Sequence, residues 1–149
     1  MNKVLYIILI SLFSLTAISC KSSDDSSSAT SSGLFVVVGD SGTILTSSDG
    51  TTWTTKTSGA TYAYWGITYG NSTFATVGPS GSIFTSSDGT TWTSRTSGIT
   101  NHMWGVTYGN NTFVTVSYGG DILTSSDGIS WTSRTSGTTN ALKDVTYKE

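Results

Sequence analysis

The sequence is poor in the residue types from which most reaction centres and nucleic-acid surfaces are built. It holds one Cys, at position 20, and one His, at position 102. Neither an internal disulfide nor a His/Cys metal cluster can be assembled from these within one chain, and no metal and no cofactor is expected. Charged residues make up 11% of the chain, against roughly 25% in an ordinary soluble protein. Net charge is −2, and the seven Lys and Arg are scattered rather than clustered, so there is no electrostatic footprint for nucleic acid. Carboxylates sit mostly in a repeated turn or in the Ser-rich segment near the N-terminus, while Asp40, Asp121 and Asp144 have no evident partners. No general acid/base pair is apparent, no catalytic residue is assigned, and the chain is not expected to be an enzyme. Ser, Thr and Gly fill the space that charge leaves, a composition that favours strands and turns.

The N-terminus has the layout of an export signal. Lys3 precedes an uncharged apolar stretch from Val4 to Ile18, short of the roughly 20 residues that a stable membrane span needs. The run Thr16-Ala17-Ile18-Ser19-Cys20 resembles a bacterial lipobox, which implies cleavage before Cys20 and lipidation of its thiol. An ordinary secretory signal with an incidental Cys is the alternative. Residues 1–19 are then a signal peptide, and residues 20–33 are the lipidated Cys with a flexible Ser-rich tether, since KSSDDSSSATSS offers nothing to a core. The expected location is the bacterial cell envelope, at the outer membrane or cell surface, with the membrane as a partner through the lipid.

From residue 34 to residue 149 the chain repeats itself. TSSDGTTW begins at Thr46 and again at Thr85, and TSSDGISW begins at Thr124; Asp49, Asp88 and Asp127 stand 39 residues apart, as do Trp53, Trp92 and Trp131. A strict period near 40 indicates a repeat architecture. One unit reads as four short strands, Trp104 to Tyr108, Thr112 to Val116, Asp121 to Thr124 and Ser130 to Arg134, separated by Gly-, Asn- and Asp-rich turns. That is a four-stranded antiparallel meander, with helix nearly absent. In each turn the Asp carboxylate can fold back onto backbone N–H groups while the following Gly takes a positive φ. A reactive site is rarely copied at equal intervals, so Ser47, Asp49, Gly50 and Trp53, with Ser86, Asp88, Gly89 and Trp92 and with Ser125, Asp127, Gly128 and Trp131, are expected to be structural.

These turns resemble the Asp-box, or BNR, repeats of sialidases, sortilin-type receptors and photosystem-assembly factors, from about Leu34 to the C-terminus. The resemblance implies a β-propeller in which the box is a structural turn away from any active site. The usual Ser-x-Asp-x-Gly-x-Thr-Trp is one residue longer between Asp and Trp than Ser47-Ser48-Asp49-Gly50-Thr51-Thr52-Trp53. The sialidase arginine triad does not carry over, because the only arginines are Arg95 and Arg134. The fold class expected is therefore all-β, a propeller-like array of three four-stranded antiparallel blades.

The repeat is also out of phase with the chain. Leu34 to Val38 matches the second strand of a unit, and Leu142 to Tyr147 matches the first. Three blades do not close a ring, since propellers use about four to eight. One expectation is a homodimer in which each chain's last strand completes the other's first blade, giving a six-bladed ring; the other is a partial propeller. Unpaired edges in such a Val/Thr-rich chain would invite aggregation.

The least repetitive segments are the loops entering the first strands, residues 60–65, 99–104 and 138–143. Variation on a fixed scaffold is where specificity resides. Tyr62, Tyr64, Trp65, Asn101, His102 and Trp104 are the candidate ligand face, although Trp65 and Trp104, each preceding a Gly, equally suit a core and His102 alone suits a plain surface. The functional expectation is an envelope-anchored binding or adhesion module for a glycan or protein. The alternatives are an assembly or structural factor for another envelope protein, or a partial propeller with no independent function, with a glycosidase last.

Overall fold

A computed structural model describes residues 33–149. The expected signal peptide, Cys20 and nearly all of the tether lie outside the described residues.

Among the described residues, eleven strands form three antiparallel sheets. The first holds β1 (Phe35–Val38), β2 (Thr43–Ser47) and β3 (Thr54–Thr57) in sequence order. The second holds β4 (Gly66–Gly70), β5 (Thr73–Val77), β6 (Ile83–Ser86) and β7 (Thr93–Arg95). The third holds β8 (Met103–Gly109), β9 (Thr112–Ser117), β10 (Ile122–Ser125) and β11 (Thr132–Arg134). Helix is confined, among the described residues, to one-turn 3-10 segments at Asp40–Gly42 and Pro79–Gly81.

The residue types grade across each sheet as the layout requires. The second strands β5 and β9 are apolar or Thr-rich and largely buried, each paired along both edges. Their buried hydroxyls are satisfied: Thr76 Oγ1 donates to Gly66 O and Thr115 Oγ1 to Gly105 O, both at 2.8 Å. The outer strands β3, β7 and β11, reading TTKT, TSR and TSR, are mostly exposed. The main apolar cluster joins Val77 and Ile83 of the second sheet to Met103, Val106 and Leu123 of the third, so the core is a seam between sheets rather than the centre of one. Packing these faces is the chief stabilising term.

Repeat-equivalent bonds stitch each unit to the next. Tyr64 N donates to Gly39 O, Met103 N to Gly78 O and Leu142 N to Ser117 O, each at 3.0 Å. At the far end of the first strands, a Cβ at Gly70 would run into the ring of Tyr108, and one at Gly109 into the ring of Tyr147. Only glycine permits that approach.

Among the described residues the sheets hold three, four and four strands, the first ladder beginning at β1, the second strand of a unit, as the phase of the repeat implies. One expectation needs correction. Residues 142–147, expected as a strand, form no ladder. They follow the course of a first strand beside β8, through Leu142 N and Tyr147, but the strand that would pair with them is the second strand of a fourth unit.

Candidate functional site

The three TSSDG turns have one geometry. Ser47 Oγ donates to Asp49 Oδ1 at 2.8 Å and accepts from the Asp49 and Gly50 amides, while Asp49 Oδ1 accepts from Thr51 N and Thr52 N, both at 2.8 Å. Ser86 and Asp88 repeat the set with Gly89, Thr90 and Thr91. Ser125 and Asp127 repeat it with Gly128, Ile129 and Ser130. Gly50, Gly89 and Gly128 take φ of 72°, 72° and 74°, the left-handed region that a side chain disfavours. With Gly directly after Asp, the turn closes despite the shortened spacing to Trp. The backbone N–H donors, Thr52 then Thr51, hold the Asp49 carboxyl well below the usual carboxylate range, as Thr91 and Thr90 do for Asp88; Ser130 and Ile129 lower the Asp127 carboxyl. These carboxylates are ionised at neutral pH and engaged in holding turns, so none is poised as a general acid.

The indoles that follow lie over their own turns. Trp92 Nε1 donates to Gly89 O at 3.3 Å and Trp131 Nε1 to Gly128 O at 3.0 Å. Trp92 lies against Phe74, and Trp131 against Phe113, at centroid separations of 6.5 and 6.3 Å. Trp53, just before β3, is exposed.

The expected ligand face divides into surface and core. Trp65 and Trp104 stack at 4.5 Å with their planes 16° apart, and Lys143 Nζ stands 5.1 Å from the Trp104 ring. His102 meets Trp65 edge-on at 5.5 Å, and its Nδ1 accepts from Ser80 N at 3.1 Å, which leaves Nε2 as the free edge. Trp65, Trp104 and Lys143 are the same position of three successive units. Together with Tyr64, Gly66, Gly105 and Asp144 they line a cleft of about 530 Å³ at the entry to the first strands. Trp65 is exposed at its rim, whereas Trp104 Nε1 is buried with no acceptor among the described residues. Tyr62 is exposed and lines a second cleft of about 430 Å³, with Pro79, Phe84, Arg95 and Ile99.

Tyr64 does not belong to the exposed face. It is only 2% exposed and packs on Phe84 and Trp92, because it occupies the position that Met103 fills in the next unit, also in the core. Burial pushes its phenol up, partly opposed by Ser58. Asn101 is engaged locally: its Nδ2 donates to Asp121 Oδ2 at 2.8 Å, and the same oxygen accepts from Ser117 Oγ at 2.6 Å. Those two bonds, Ser117 first, lower the Asp121 carboxyl. Lys143 is the residue the sequence reading missed. Aligning the unit starts exposes it, since the column Tyr64, Met103, Leu142 is uniformly apolar while the next column, Trp65, Trp104, Lys143, is not.

No family model matches the chain, and no curated protein matches it. Among solved structures it is similar to the chain titled "YCF48 bound to D1 peptide", with a TM-score of 0.59 and 19% identity over 68% of this chain and 36% of that one. The sequence thus spans little more than a third of that chain's length. With the three antiparallel sheets, the likeness defines the fold: a partial β-propeller.

Proposed function

We propose that this protein is a non-catalytic, Asp-box-type binding module, tethered to the bacterial cell envelope through lipid on Cys20, that holds a segment of another envelope protein. The observation that carries the reading is the Trp65–Trp104 stack capped by Lys143. Stacked indoles supply rigid apolar area at little entropic cost, and the ammonium supplies a donor for carbonyl or carboxylate groups. The similar solved structure, with its peptide, supports a protein ligand over a glycan.

The test is binding of the purified chain to peptide and glycan arrays, with Trp104→Ala alongside. Peptide binding weakened roughly tenfold or more by that substitution supports the reading. Binding to glycans alone would replace the ligand class, and peptide binding indifferent to Trp104→Ala would move the site elsewhere. The tether is tested separately: metabolic labelling with a fatty acid should mark the native protein and not Cys20→Ser, and an unlabelled native protein would remove the lipid anchor from the account.

A further inference from the structure

We propose that His102 is a positioning residue of the tryptophan face, a brace that holds Trp65 while its imidazole is neutral and lets go when the ring takes up a proton. The bearing of that release on a ligand rests on the binding reading above; the brace itself does not, and it is tested without a ligand.

Successive units tie the same turn to the loop that follows in two different ways. The one-turn segments Asp40–Gly42 and Pro79–Gly81 share one backbone, with Ser41 at φ 55°, ψ 35° and Ser80 at φ 54°, ψ 35°. In the first, the tie is a backbone bond, Gly42 N donating to Tyr62 O at 2.6 Å. In the second it runs through a side chain, Ser80 N donating to His102 Nδ1 at 3.1 Å. Positions 63, 102 and 141, one unit apart, are Ala, His and Ala. The turn therefore forms without an imidazole, and His102 is not there to fold it. What the imidazole adds is a link from the turn to Trp65, whose ring it meets edge-on at 5.5 Å, and Trp65 stacks in its turn on Trp104. The backbone of His102 is pinned separately, its carbonyl accepting from Tyr118 N at 2.8 Å. The ring is thus able to swing without moving the strand that follows.

A backbone bond is indifferent to mild acid; this one is not. Accepting from Ser80 N requires a lone pair on Nδ1, which places the single proton of the neutral ring on Nε2. Imidazoles take up a second proton between about pH 8 and 5, and both nitrogens are then donors. No rotation of the charged ring restores an acceptor for Ser80 N. The turn contributes no ionisable side chain, and Tyr118, Tyr62 and Tyr64 on the neighbouring loops carry no charge to oppose release. The carboxylates of this corner are committed elsewhere, Asp121 to Asn101 Nδ2 and Ser117 Oγ and Asp144 to Val145 N. Lys143, over the Trp104 ring, puts a like charge on the same aromatic stack. With the ring charged the brace opens and Trp65 loses its edge contact, so a peptide held by that stack is held less tightly below about pH 6 than above about pH 7.

Nuclear magnetic resonance of the nitrogen-15-labelled full chain in a non-ionic detergent, titrated from about pH 8 to 5 with no ligand present, tests this. The Ser80 amide should move upfield, as an amide that loses its acceptor does, and the Trp65 indole N–H should follow the same curve as the His102 ring protons. His102→Asn should leave both resonances flat with pH, since its amide oxygen is an acceptor that takes up no proton in this range. His102→Ala, which copies positions 63 and 141 and so keeps the fold, should leave the Ser80 amide at its acid position throughout. Because no ligand is present, the peptide reading can fail while the brace stands, and the reverse. A Ser80 amide indifferent to His102→Ala, a Trp65 signal that does not follow the His102 ring, or a titration that persists in His102→Asn would overturn the proposal.

Discussion

The strands β1 and β9 have nearly the same sequence pattern and opposite fates. Both place Phe, a β-branched or Thr position and Val in succession, and both pair with a third strand through the same register. In β9 these side chains are sealed beneath β8; in β1 the same side of the strand faces outward, with Phe35 more than half exposed. Neither propensity nor alternation distinguishes the two. Burial in this fold is conferred by the neighbouring strand, and the chain's phase decides which copy of the unit has that neighbour.

The largest contrast should come from cutting the same side chain in both places. Phe113→Ala is expected to cost about 3–5 kcal/mol in denaturant unfolding, as loss of a buried aromatic ring does. Phe35→Ala should cost under about 1 kcal/mol. Equal losses would break the comparison.

Removing a turn carboxylate should have a smaller effect, and an uneven one. Asp88→Ala leaves the Thr90 and Thr91 amides without their acceptor in a turn covered by Trp92, and should lower the melting temperature. Asp49→Ala should lower it less, since Trp53 is exposed and the first sheet has less packed against it. A larger loss at Asp49 would reverse the ranking of the sheets.

Smaller again is the buried hydroxyl. Thr115→Val removes the bond to Gly105 O and is expected to cost about 1 kcal/mol. Val37→Thr should change stability by less than about 0.5 kcal/mol, because Val37 is exposed where Thr115 is buried.

The gentlest probe is acid. The three turn carboxyls titrate lower in the folded chain than their ordinary 3.8, so on acidification the unfolded chain takes up protons first. Their contribution is complete above that value and declines only in stronger acid, as pH falls toward the lowered folded values. Unfolding midpoints should thus be flat from neutral pH down to about 4 and then fall, and replacing all three aspartates should flatten the acid limb.

The sheet pattern was legible in the sequence because each unit spells strands and turns in residue types with a direct backbone consequence: β-branched runs, Asn and Gly between the first and second strands, Asp-Gly between the third and fourth. The offset of the ends was equally plain once the 39-residue step was followed. The division of the loops into face and core was less so. Tyr64 and Trp65 are adjacent aromatics, and only comparison with Met103 and Trp104 shows which one enters the seam. The fate of Asn101 was not legible at all, since its partner Asp121 lies 20 residues away and is brought to it by the fold.

The most direct test of the central claim, that burial in this repeat is conferred by the neighbouring strand, is amide hydrogen exchange read strand by strand. The account predicts fast exchange at the β1 amides that point away from β2 and strong protection in β5 and β9, which are paired on both edges. Protection of those β1 amides equal to that of their counterparts in β9 would contradict it.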